Sequence, residues 1–372
     1  MGKSKHIVLT VTNDLNYDQR MIRICTSLTE AGYKVTLVGF KRGKSKPLTE
    51  RPFHQVRIPI LAEQGKMLYG GYWFMLFFYL LFKRCDALCA IDLDTILPVY
   101  WVSVLKNKRR VYDAHELFTE LKEVVTKPRE KKIWDWIERT TLPNFNHNYT
   151  VGHYCALYFN KKYNKSYAVV RNATVLKPFS IPERKDKYIL YQGWVNEGRC
   201  FEQLIPAMRN VNMPLIICGE GNFFEQAKAL AKEYNVEDKV QFKGFVPPTE
   251  LKQYTEGATI GLTLFHAVSL SNEYSLANRF FDYMHNAVPQ VAMNFPEYRE
   301  INADNEIAAL VDDPATEESI ATVLNKLIQD NEYYNRLQQN CMKAREKYCW
   351  QNEEKVLLKV YEQVFAKHNN NV

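Results

Sequence analysis

The sequence predicts an α/β protein of two doubly wound, parallel-sheet domains, and three observations carry that prediction. Short apolar runs alternate with helical periodicity along the chain, the alternation restarts after a proline-bearing stretch near the middle, and 372 residues exceed what one core usually organises. In order, residues 6–12 read as a strand, residues 19–31 as a helix that stops at Gly32, and residues 34–40 as a second strand, a βαβ opening. Further strands are expected over residues 86–91, 109–113, 147–151 and 168–170, with helical stretches between them. Residues 172–186 carry Pro178 and Pro182 and little apolar periodicity, which puts the domain boundary there. The second series has strands at 188–192, 215–218, 240–243, 258–264, 289–293 and 307–311. The expected division is therefore an N-terminal domain of residues 1–174, a linker of 175–186, a C-terminal domain of 187–349, and a final segment of 350–372 whose amphipathic helix returns to the first domain. Sheets of this kind take ligands at the C-terminal ends of their strands, so a cleft between two such sheets is the expected site.

Composition narrows the partners. The chain is 46% hydrophobic and 24% charged, as ordinary globular proteins are. Its net charge of +7 favours anionic ligands or an anionic membrane surface. No basic stripe interleaved with aromatics appears, which argues against nucleic acid. The eight cysteines include no CxxC pair and read as reduced thiols, and residues 1–14 pass into a strand with no apolar signal core, so a cytoplasmic protein is expected. Residues 67–82 are uncharged and are followed by Lys83 and Arg84. Sixteen residues fall short of the roughly 18 to 20 of a spanning helix. Two readings remain: a buried helix, or one that lays Trp73, Phe74, Phe77 and Phe78 on a bilayer surface, which the basic run Lys41, Arg42, Lys44 and Lys46 slightly favours.

Residues 271–300 hold the densest chemistry, a polar loop followed by a helix start, a strand and an acidic turn. Asn278 and Arg279 stand where a helix begins, and Asp282 lies one turn further along the same face as Asn278. A helix N-terminus offers unpaired N–H groups and partial positive charge to a diphosphate, and a carboxylate one turn deeper can accept from vicinal sugar hydroxyls. The structural alternative is that Asn278 caps the helix and Arg279 pairs with Asp282 on its surface. Asp92-Leu93-Asp94 has the spacing of a metal–diphosphate motif, but it sits at a strand end, where Asp94 could instead cap the next helix.

The run Ser275-Leu276-Ala277-Asn278-Arg279-Phe280-Phe281-Asp282-Tyr283, continued by Met284-His285-Asn286-Ala287-Val288-Pro289-Gln290-Val291-Ala292 and Pro296-Glu297-Tyr298-Arg299-Glu300-Ile301, resembles the donor-binding segment of family-4 glycosyltransferases of the group 1 type, which have the GT-B fold. Leu190-Tyr191-Gln192-Gly193 with Asn196-Glu197-Gly198-Arg199, the turn Cys218-Gly219-Glu220-Gly221, and Phe242-Lys243-Gly244-Phe245 are similar to its strand-end loops. The resemblance implies a retaining transfer from a nucleoside-diphosphate sugar to a saccharide or lipid-linked saccharide acceptor in surface glycan biosynthesis, with no metal and no cofactor. It implies Arg199 and Arg279 at the diphosphate, Asp282 at the ribose, and Gly193, Gly219, Phe245, Ser275, Leu276 and Asn278 around the donor. In the N-terminal half, Tyr112-Asp113-Ala114-His115-Glu116-Leu117-Phe118 matches a family subset, which implies His115 at the donor sugar or reaction centre. Asn13, Asp18, Arg20, Asp92, Asp94 and Glu116 are assigned to the acceptor side. The departures are Ala277 in place of a proline, Asp282 in place of the ribose glutamate, Ala287 in place of a turn glycine, Trp194 in place of a second arginine, Tyr274 in place of a glutamate (Glu273 is one position off), and Asn13-Asp14-Leu15-Asn16-Tyr17 in place of a glycine-rich loop. Two other readings are carried, a nucleotide-sugar epimerase or phosphorylase of the same fold and a non-catalytic sugar-nucleotide-binding protein.

Overall fold

The computed structural model describes residues 4–43, 45–60 and 65–366, without the side chains of residues 65 and 66; Lys44 of the basic run lies outside the described residues. The chain forms two compact units, residues 1–171 with 353–372, and residues 172–352.

The first unit is built on a parallel sheet with strand order β3-β2-β1-β4-β5-β6-β7. The strands are β1 (His6–Thr10), β2 (Lys34–Lys41), β3 (His54–Pro59), β4 (Ala87–Ile91), β5 (Arg109–Ala114), β6 (His147–Thr150) and β7 (Ala168–Val169). Helices α1 (Gln19–Glu30), α2 (Gly65–Phe82), α3 (Ile96–Leu105), α4 (Lys122–Val125), α5 (Pro128–Thr141) and α6 (His153–Tyr163) connect them. β4, and β1 over residues 7–9, are apolar because neighbours flank both strands on both edges; Leu9 lies beside Leu37 on one edge and Cys89 on the other. The sequence reading missed β3, HQVRIP, an edge strand whose half-exposed polar residues break the apolar run. Asp18 caps α1 by accepting from the Met21 N–H at 3.0 Å.

α2 has 18 residues, with one face buried and the other exposed. Tyr72, Leu76 and Leu80, four residues apart, are buried against the sheet, whereas Phe74, Met75, Phe78 and Phe82 are exposed. Trp73 turns inward, its indole N–H donating to the Asp94 carbonyl at 2.5 Å. Among the described residues no helix is long and apolar enough to cross a membrane. The Lys106 ammonium, just past α3, donates to the carbonyls of Leu80, Leu81 and Lys83 at 3.2, 2.8 and 2.7 Å and so terminates α2.

The second unit has a parallel sheet of order β10-β9-β8-β11-β12-β13. Its strands are β8 (Ile189–Gln192), β9 (Leu215–Cys218), β10 (Val240–Gly244), β11 (Ile260–Thr263), β12 (Gln290–Met293) and β13 (Ala308–Val311). Its helices are α7 (Phe201–Ala207), α8 (Phe224–Glu233), α9 (Pro248–Gly257), α10 (Leu270–Glu273), α11 (Asn278–His285), α12 (Pro296–Asp304), α13 (Glu317–Gln329) and α14 (Asn331–Lys347). α15 (Trp350–Phe365) follows, and its Tyr361 packs near Tyr33 and Tyr149 of the first unit's core. All eight cysteines are buried and free.

In both sheets the strand order reverses once, between β1 and β4 in the first unit and between β8 and β11 in the second. The crevice beyond the carboxyl ends of the strands at such a reversal is where doubly wound sheets bind ligands. Thr12 and Asp92 lie beyond β1 and β4, and Gly193 directly follows β8.

Candidate functional site

The second unit's site starts from two glycines. Gly193 leaves β8 with φ +131, and Gly219 leaves β9 with φ +154, conformations that L side chains rarely adopt. A Cβ on Gly219 would collide with the Gly193 carbonyl, so the β9 turn approaches the β8 turn this closely only with glycine at position 219. A Cβ on Gly193 would stand 3.1 Å from Nη1 of Arg279, so this bare turn lies directly over that guanidinium.

Arg279 sits in the first turn of α11, only 8% exposed. Its guanidinium carbon lies 4.9 Å from the Tyr191 ring centroid, and Nη1 donates a long bond of 3.4 Å to the Gln192 carbonyl. Nε and Nη2 are buried without a hydrogen-bond partner, and Arg279 enters none of the ion pairs among the described residues. The surface pair with Asp282 is therefore not formed. Nor does Asn278 cap the helix: the N-cap is Ala277, which offers no side-chain bond, and Asn278 Oδ1 accepts from Asn172 Nδ2 at 2.5 Å. The Ala277 N–H is held by the Tyr298 hydroxyl at 2.9 Å, which fixes where α11 begins.

Arg199 is half-buried in the loop before α7, its guanidinium carbon 5.4 Å from the Phe265 ring centroid. Burial pushes the Tyr298 phenol up to about 12 and the Cys200 thiol up to about 12, and the positive charges of both Arg199 and Arg279 oppose each shift. Both groups lie within reach of both cations, so the two arginines stand in one region around the start of α11.

One turn deeper, Asp282 is held from two sides. Oδ1 accepts from Thr174 Oγ1 at 2.8 Å and Oδ2 from Gln192 Nε2 at 3.2 Å, while Gln192 Oε1 accepts from Thr255 Oγ1 at 2.8 Å. Phe245 and Trp194 stand 59% and 68% exposed beyond β10 and β8. The polar loop before α11 contains a helical turn, α10, capped by Ser269; the Ser275 hydroxyl donates to the Asn272 carbonyl at 2.8 Å, and Leu276 is buried.

The first unit gathers a second cluster. Asp113, fully buried in β5, accepts from Arg20 Nη2 at 2.8 Å and lies 3.0 Å from His115 Nε2. Asp92, in a left-handed conformation at φ +54, accepts from the His115 N–H at 2.8 Å, and its other oxygen is 3.9 Å from His115 Nδ1. Burial disfavours a charged His115, but Asp113 and Asp92 overcome it and hold the imidazole up at about 9. Burial raises Asp92 to about 8 and Asp94 to about 7, against the opposing pull of His115 on both and of a Thr12 hydrogen bond on Asp94. The direction is upward for His115, set first by Asp113, and upward for Asp92 and Asp94, set first by burial.

The other N-terminal candidates separate by role. Asp94 accepts from Thr12 and does not cap α3, whose N-cap is Thr95. Asn13 Nδ2 donates to Asp18 Oδ2 at 2.7 Å, so both side chains serve the loop and the α1 cap. Arg20 is 4% exposed, its second Nη donating to the Val170 carbonyl at 2.7 Å, and Glu116 is exposed. Among the described residues no group of three or more His, Cys, Asp or Glu is placed to hold a metal ion.

Sequence reading missed Gln192, Thr174 and Tyr298, which set the positions of Asp282 and α11, because their partners lie 90, 108 and 21 residues away. Asp113 had a weaker signal: it stands two residues before His115, near the end of β5.

Residues 175–344 match the family described as Glycosyl transferases group 1. Solved structures share the whole architecture. Sucrose-phosphate synthase from Thermosynechococcus elongatus superposes with a TM-score of 0.78 at 14% identity, over 97% of this chain and 99% of that one. HepE from Anabaena, in complex with UDP-glucose, gives 0.75 at 11% identity over 96% and 100%. WaaG, a glycosyltransferase involved in lipopolysaccharide biosynthesis, gives 0.70 at 13% identity over 97% and 100%. A comparison with curated proteins finds no match. The fold is GT-B, two parallel-sheet α/β domains. The C-terminal unit carries a group 1 glycosyltransferase domain, and the chain is a glycosyl-transfer enzyme.

Proposed function

We propose that this enzyme moves a sugar from a nucleoside-diphosphate sugar to a saccharide or lipid-linked saccharide acceptor in surface glycan assembly. In this reading it works in the cytoplasm as a family-4 enzyme, without metal or cofactor and with retention of anomeric configuration. The observation that carries the reading is Arg279: a buried guanidinium with two unpartnered nitrogens beside an uncapped helix start is a poor arrangement for stability and a good one for a diphosphate.

The donor diphosphate accepts from Arg279 and the N–H groups that open α11, with Arg199 adding charge. Asp282 accepts from the ribose hydroxyls, and the loop at Phe245 meets the base. As the bond from the anomeric carbon to the phosphate oxygen breaks, negative charge grows where these cations already stand, which lowers the barrier without reorganisation. The acceptor oxygen bonds to the anomeric carbon, and its proton passes to the departing phosphate. Within the first unit, His115, held above its ordinary range first by Asp113, offers a charged hydrogen-bond donor.

Thermal melts with a panel of nucleoside-diphosphate sugars, followed by product analysis with the stabilising donor, test this. A ligand at about a hundred times its Kd adds about 2.7 kcal/mol to stability, so one base should stand out by several degrees. Stabilisation by no nucleoside diphosphate contradicts the donor site, and binding with neither transfer nor hydrolysis contradicts the activity.

A further inference from the structure

The outward faces of α2 and α3 are as apolar as their buried faces. A helix apolar all round is normally buried. Here Phe74, Phe78 and Phe82 are 63%, 41% and 80% exposed on α2, and Trp101, Val104 and Leu105 are 45%, 54% and 67% exposed on α3. The two sets are contiguous: Phe77 of α2 and Tyr100, Trp101, Val104 and Leu105 of α3 line one shallow groove, while Phe78, Phe82 and Lys83 line another with Ile58 and Pro59 of β3. Neither helix contains an acidic residue. Cations follow both C-terminal ends, Lys83 and Arg84 after α2 and Lys108 after α3, while Arg109 is turned to the Phe365 ring of α15.

We propose that the outer faces of α2 and α3 form one docking surface for an anionic lipid bilayer. Charge complementarity selects that occupant. Protruding aromatics that enter the acyl boundary, with cations only at the helix ends, suit a sheet of anionic headgroups over hydrocarbon. A second copy of this chain would bring the same cations against themselves. α3 supplies half of the surface, and Trp73 is excluded from it because its indole is engaged with Asp94. The proposal stands apart from the donor site, and its test uses no donor.

The test is co-sedimentation of the whole protein with vesicles of phosphatidylcholine alone or mixed with phosphatidylglycerol, at low and high salt, with light scattering for oligomeric state. Binding should need the anionic lipid and fall in high salt, since screening removes the electrostatic part. Phe74→Ser with Phe82→Ser should weaken binding roughly tenfold or more, and Lys83→Glu with Arg84→Glu should abolish the preference for anionic lipid. Trp136→Ser, on an exposed aromatic of α5, should leave binding unchanged, and Arg279→Ala should bind vesicles like the parent. No binding, equal binding to neutral vesicles, binding untouched by the α2 variants, or a dimer that the phenylalanine pair splits each overturns the proposal.

Discussion

Each unit buries one arginine near the reversal of its sheet, and the two are treated in opposite ways. Arg20 has a carboxylate on one Nη and a carbonyl on the other, so folding has supplied its counter-charge, and only its Nε goes unpaired. Arg279 has a ring face, one long bond to a carbonyl and two unpartnered nitrogens. A buried cation costs stability unless something compensates it. Compensation for Arg20 comes from Asp113; for Arg279 it is left to a ligand. Burial alone therefore does not separate a structural arginine from a functional one, but the partner list does.

The comparison breaks first at Arg20. Arg20→Ala leaves the buried Asp113 carboxylate with His115 but without its arginine and should cost about 3 kcal/mol of stability, read as a fall in denaturation midpoint at unchanged slope. A loss under 1 kcal/mol would mean the pair is not structural. Asp282→Asn comes next. It replaces an acceptor held by Thr174 and Gln192 with an amide that presents a donor to one of them. Donor affinity should fall by about 1.5–3 kcal/mol in calorimetry, because a charged hydrogen bond is lost. Unchanged affinity would leave Asp282 with a structural role alone.

The smallest expected effect is the pH dependence around His115. Its pKa is raised from 6.5 to about 9. The stability its charge contributes is therefore fully present below 6.5 and is lost as pH rises through 9. The stability difference between wild type and His115→Gln should shrink by about 1–2 kcal/mol between pH 6.5 and pH 10. A difference that stays flat over that range would show that Asp113 and Asp92 do not hold the imidazolium.

Much of the fold was legible because buried parallel strands read as unbroken apolar runs, as in β4 and β12. β3 was not, because an edge strand alternates and keeps polar residues. α10 was not either, since four residues carry too little periodicity. At the site, residues close in sequence were placed correctly at the start of α11, but which of them were already satisfied was invisible. Arg20 meets a carboxylate 93 residues away, and the Arg279 guanidinium was free to be read as a surface partner of Asp282 until its burial was known. Sequence spacing fixes which groups share a helix face, and only the packed chain fixes which of them still lack a partner. The same limit applied to α2, where composition showed an apolar helix but not that half of it faces outward.

The most direct measurement is calorimetric titration of Arg279→Ala with the nucleoside diphosphate that stabilises the wild type, alongside its unfolding midpoint. The unpartnered guanidinium predicts that diphosphate affinity falls tenfold or more, about 1.4 kcal/mol at least, while stability is unchanged or rises. Wild-type affinity in a destabilised variant would show instead that Arg279 is a structural residue and that the diphosphate binds elsewhere.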